Sequence, residues 1–63
     1  MPDFFIQGYR KKDYVEQGNE APRIRGSVNA DSWAEAIKKS KSLLAALAGG
    51  DEILIEFIRK KWL

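Results

Sequence analysis

Cationic side chains gathered in groups and interleaved with aromatic rings are the feature of this 63-residue chain best equipped to do chemistry. The groups are Arg10-Lys11-Lys12, Arg23 with Arg25, and Arg59-Lys60-Lys61. Guanidinium and ammonium groups bind phosphate and carboxylate oxygens through charge-assisted hydrogen bonds. Phe5 and Tyr9 add flat apolar surfaces on which a nucleotide base or a partner's side chain can stack. Acid–base catalysis has less to work with. Asp51 and Glu52 are adjacent, so their side chains diverge on a strand, and Glu56 stands without a base or nucleophile beside it. The chain has no histidine and no cysteine, which excludes zinc fingers, disulfide frameworks, thiol nucleophiles and Ser-His triads. Lys38, Lys39 and Lys41 read as helix surface, and Gly49-Gly50 as a helix stop rather than a phosphate loop. These residues predict no enzyme, no metal and no cofactor.

The elements that must hold these groups are few. Asp3 to Arg10 is dense in aromatic and β-branched residues and reads as a strand, with Phe4, Ile6 and Gly8 on one face and Phe5, Gln7 and Tyr9 on the other. Residues 11–21 are polar and carry the turn signal Gln17-Gly18-Asn19-Glu20; Tyr14 and Val15 either extend the strand or make a short helical turn. After Pro22, Arg23 to Asn29 predicts a second strand, with Ile24, Gly26 and Val28 opposite Arg23, Arg25 and Ser27. Asp31 and Ser32 are N-cap residues, and Glu35 sits in capping-box spacing from Ser32. The helix they open collects Trp33, Ala36, Ile37, Ser40, Leu43, Leu44 and Leu47 on one side and ends at Gly49-Gly50. Ile53 to Lys60 alternates as a third strand, with Ile53, Ile55 and Phe57 facing away from Leu54, Glu56 and Ile58.

A right-handed crossover makes the third strand parallel to the second. Placing the first strand between them gives an antiparallel three-stranded sheet of order 2-1-3 with one helix on one face, an α+β fold in one domain. The helix would cover Phe4, Ile6, Ile24, Val28, Ile53, Ile55 and Phe57. The other face would carry Phe5, Tyr9, Leu54, Ile58 and Trp62 beside Gln7, Arg23, Arg25 and Glu56. An apolar patch of this kind on a small protein marks an interface, unless residues 11–21 or the C-terminal end fold over it. The expected partner-binding residues are therefore Phe5, Tyr9, Arg23, Arg25, Leu54, Glu56, Ile58 and Trp62. The same face also suits self-association, since a short chain gains much from shared burial.

Binding of nucleic acid is the competing expectation, carried by Arg10, Lys11, Lys12, Arg23 and Arg25 with Tyr9 and Phe5 as stacking rings. The sheet order brings the first two cationic groups to one end and the third to the other, making two patches. Against it stands a near-even balance of 11 cations and 9 anions, net +2. The N-terminus carries no signal-peptide pattern, and the longest apolar run, Leu43 to Ala48, is too short to cross a bilayer, so the expected location is the cytoplasm.

Val28 to Ile37 has the form Val-x-Ala-x-Ser-x-x-Glu-Ala-Ile. This phrase resembles the strand-to-helix junction of small phage and mobile-element proteins, including inhibitors of the anti-CRISPR kind. The likeness covers ten residues and implies action by occupying a host protein's surface; no functional residue carries over from it. Ser32 to Ala36 is also similar to the helix start of dodecins, small flavin-binding oligomers. Dodecins place two strands after that helix where this chain has one, which leaves the flavin site without its second hairpin.

Overall fold

The computed structural model describes residues 2–61. Its elements run β1 (Asp3–Arg10), α1 (Lys11–Gln17), a 3-10 turn (Gly18–Glu20), β2 (Ile24–Asn29), α2 (Trp33–Leu47) and β3 (Ile53–Lys60). The three strands form one antiparallel sheet of order β2-β1-β3, the expected order. Phe4 and Ile6 in the central strand are buried, as is Leu44 of α2, and Phe4 packs with Ala36 of the helix and Ala30 from the turn that precedes it.

Side-chain capping starts α2: Ser32, extended at φ −146°, accepts a hydrogen bond from the Glu35 backbone N–H at 3.2 Å. Gly49 and Gly50 end it at φ +73° and +89°, conformations that only glycine adopts freely, and Gly50 N–H closes back on the Ala45 carbonyl at 2.8 Å. The helix rides close to the sheet because two strand positions lack a Cβ. A methyl on Gly8 would lie 2.4 Å from the Leu54 carbonyl oxygen and 2.9 Å from Leu44, and one on Gly26 would lie 2.6 Å from Leu43. The burial stripe of α2 is narrower than its apolar pattern predicts. Ala36, Ser40, Leu44 and Ala48 are fully covered, whereas Trp33, Ile37 and Leu47 stay 50%, 40% and 51% exposed. α2 packs over β2 more than over β3, so one flank of its apolar side is left uncovered.

Residues 11–21 resolve into helix rather than strand. Arg10 is the last extended residue; its guanidinium meets Asp13 in the first turn of α1 at 3.5 Å, and Gly18 at φ +61° closes that helix on the Tyr14 carbonyl.

The largest departure from expectation lies in β3. Its pairing with β1 runs Phe4↔Lys60, Phe5↔Arg59, Ile6↔Ile58 and Gln7↔Phe57, then shifts by one residue to Gly8↔Ile55 and Tyr9↔Leu54. Glu56 is the residue left over, a β-bulge. Residues opposed in an antiparallel pair point to the same face. Ile58 therefore faces inward with Ile6 and packs against the Phe4–Ala30–Ala36 cluster, correcting its expected place on the outer face. Phe57 correspondingly leaves the helix side and stands outward, 37% exposed. The expected regular alternation holds for Ile53 to Ile55 and fails at the bulge.

Candidate functional site

The outer face is laid out in rungs that cross the three strands. Ser27, Phe5 and Arg59 make one rung, and Arg25, Gln7 and Phe57 the next. Tyr9 and Leu54 continue toward the far end, where Arg23 approaches from just before β2. Six of the eight expected partner-binding residues thus lie on this side: Phe5, Tyr9, Arg23, Arg25, Leu54 and Glu56. Ile58 lies on the opposite side, and Trp62 is outside the described residues.

The two ends of this face differ. At the Tyr9 end the surface is already occupied. Tyr14 of α1 stacks on Tyr9 with ring centroids 5.1 Å apart and planes 20° from parallel, while the Arg23 guanidinium lies 4.9 Å above the same ring. Part of the expected apolar patch is therefore covered by the 11–21 segment.

Across the middle runs a relay of polar side chains. Arg25 Nε donates to Gln7 Oε1 at 2.7 Å, and Gln7 Nε2 donates to Glu56 Oε1 at 2.6 Å. Arg23 Nε and Nη2 donate to the two Glu56 oxygens, both at 3.1 Å, a bidentate clamp. These bonds hold the Glu56 carboxyl below its ordinary value of 4.5, through Arg23 first and Gln7 second, and hold the Arg23 guanidinium above its own. Glu56 stays ionised and fully engaged, so it supplies neither a proton nor repulsion to an arriving anion. Arg25 and Gln7 were expected neighbours of Glu56; its ion pair is made by Arg23. Lys60 lies on the other face, opposite Phe4.

Among the described residues, none covers the Phe5 end of the face. Phe5 is 43% exposed, and with Phe57 it borders a shallow groove of about 360 Å³ lined also by Gln7, Arg25, Ser27 and Arg59. Arg59 lies over Phe57 at 5.4 Å and Lys61 over Phe5 at 5.2 Å, cation–π placements that set positive charge against each ring. Phe57, Arg59 and Lys61 are absent from the sequence-based site. The available signal was Gly8: a glycine inside a strand often marks a bulge or a close backbone approach, and here it borders both.

The first cationic group lies at the same sheet end as Arg23, as expected, but it is spent on acids. Arg10 pairs with Asp13 and Asp51 at 3.5 Å each, Lys12 with Asp51 at 3.1 Å, and Lys11 with Glu52 at 3.7 Å. That end is electrically balanced. Among the described residues no cluster of three His, Cys, Asp or Glu side chains forms a metal cage, and no helix is long and apolar enough to cross a membrane. No family model matches the chain, and neither the curated proteins nor the solved structures searched contain a match.

Proposed function

We propose that this protein is a non-catalytic binding module that engages single-stranded nucleic acid on the open half of its outer sheet face. The observation that carries this reading is the bulge at Glu56, which sets Phe57 one rung from Phe5 and turns the aliphatic Ile58 away. What remains exposed is two aromatic rings on adjacent strands, three cations at Arg25, Arg59 and Lys61, and a fixed amide at Gln7. Rings supply stacking, cations supply phosphate contacts, and the combination tolerates any base sequence. The covered Tyr9 end and the neutralised Arg10-Lys11-Lys12 group stand outside the site, which moves its centre from where the sequence suggested. The cytoplasm is the proposed compartment.

Titration of a labelled oligonucleotide, followed by fluorescence anisotropy, tests the proposal. Phe5→Ala and Phe57→Ala should each weaken binding by about tenfold or more, given roughly 1–3 kcal/mol per stacked base. With three phosphate contacts, log K should fall against log salt with a slope near about −2. Absence of binding at low salt would sink the reading, as would affinity indifferent to both rings.

A protein partner is the second reading, favoured by the near-even count of 11 cations and 9 anions. In this form the module is an inhibitor or accessory factor of the phage type, with Phe5, Phe57 and Arg25 as interface anchors. Its binding would depend weakly on salt, carry a negative heat-capacity change and survive nuclease.

A further inference from the structure

β3 is an edge strand whose sequence is complementary to itself when two copies run antiparallel. Sliding one β3 along another, one register matches face and chemistry at two apolar rungs, Ile53 opposite Ile58 and Leu54 opposite Phe57 of the second copy, and sets inward Ile55 opposite outward Glu56 at the axis. Ile53 and Ile58 point inward, since they oppose Arg10 and Ile6; Leu54 and Phe57 point outward, since they oppose Tyr9 and Gln7. The same register sets Glu52, just before the strand and 3.7 Å from Lys11 of its own chain, opposite Arg59. Each match occurs twice about the two-fold axis, so the edge offers two apolar rungs and one ionic rung per half.

The uncovered flank of α2 points to the same occupant. A groove of about 600 Å³ runs beside β3, lined by Lys41 and Ala45 of the helix and by Gly50 to Ile55. Ile53, Ile55 and Ile58 are only half buried, and Ile37 of α2 is 40% exposed. Among the described residues, only Phe4, Ile6 and Leu44 are large apolar side chains buried to near completeness, a thin core for a chain of this length. A bulge and an inward lysine are devices that blunt sheet edges. In this register the two bulges meet at the axis, each with its Glu56 already neutralised by its own Arg23, so the irregularity is confined to one place.

We infer that the chain forms a two-fold homodimer through antiparallel β3–β3 pairing, which makes one six-stranded sheet with both α2 helices on the same side. A standard interface of about 800 Å² per partner would engage about a fifth of the 4352 Å² surface. This inference shares Phe57 and Arg59 with the nucleic-acid reading, but its test is a mass rather than an oligonucleotide affinity.

Sedimentation equilibrium of nuclease-treated protein should give twice the 7.2 kDa chain mass. Glu52→Arg and Arg59→Glu should each weaken association by about tenfold, because each sets like charges in two symmetric rungs. The double variant Glu52→Arg/Arg59→Glu should recover wild-type association. Circular dichroism on each variant separates lost association from lost fold. A monomer at every concentration overturns the inference. A dimer that ignores the single substitutions, or that the double variant fails to restore, overturns the register and with it the β3 interface.

Discussion

Glu56 is acceptor for three hydrogen bonds from two residues, Gln7 in β1 and Arg23 just before β2, and this explains its protonation behaviour. Its carboxyl ionises below the ordinary carboxylate range when folded and within that range when unfolded. Between those two values the unfolded chain binds more protons, so this contribution is complete at neutral pH and disappears as pH falls through the folded value. Glu35, held down chiefly by its hydrogen bond from Lys39, acts in the same direction. Glu56→Gln should therefore lower stability near neutrality and flatten, without abolishing, the acid limb of the urea-midpoint profile. An unchanged profile would mean that the Arg23 clamp does not persist in solution. Ser40 is the opposite case. Its hydroxyl is fully buried, with no hydrogen-bond partner. Ser40→Ala removes a desolvated polar atom and improves helix propensity, so denaturant unfolding should show a gain of about 1 kcal/mol.

At the scale of elements, the distance between α2 and the sheet is set by two missing Cβ atoms, and the two positions differ in what could yield. Gly26 faces the end of the Leu43 side chain, which can rotate; Gly8 faces the Leu54 backbone carbonyl, which cannot. Gly26→Ala should cost about 1 kcal/mol and Gly8→Ala about 3 kcal/mol or more in chemical denaturation. Equal costs would show that β3 shifts as easily as a leucine. The same pair of elements marks how far the sequence could be read. Alternation in Asp3–Arg10, the Ser32 cap and the Gly49-Gly50 stop each depend on local chemistry, and each appears where the residues indicate. The bulge is not local. Glu56-Phe57 fits a regular strand equally well, and only pairing with β1 decides which of Phe57 and Ile58 faces α2. Residues 11–17 were similarly undecided, because Tyr14 gains its stacking partner only once Tyr9 lies in the sheet.

For the whole molecule, charge is distributed by cancellation. The end bearing Arg10, Lys11 and Lys12 is balanced by Asp13, Asp51 and Glu52, and the middle by Glu56 against Arg23. A net charge of only +2 therefore coexists with an open positive patch at the Phe5 end. Overall composition understates a local field of this kind. A two-fold pairing of β3 would carry the patches of both copies on one continuous sheet, related by the axis. The strand order has another consequence, one of time rather than space. The central strand is made early, as residues 3–10, yet its second neighbour is residues 53–60. Until those residues leave the ribosome, Phe4 and Ile6 have β2 and α2 for company but an open edge at their side. Sheet completion thus waits on a loop closure spanning most of the chain, a requirement that slows folding relative to helical proteins of equal size. During synthesis the edge of β1 is the surface most in need of protection.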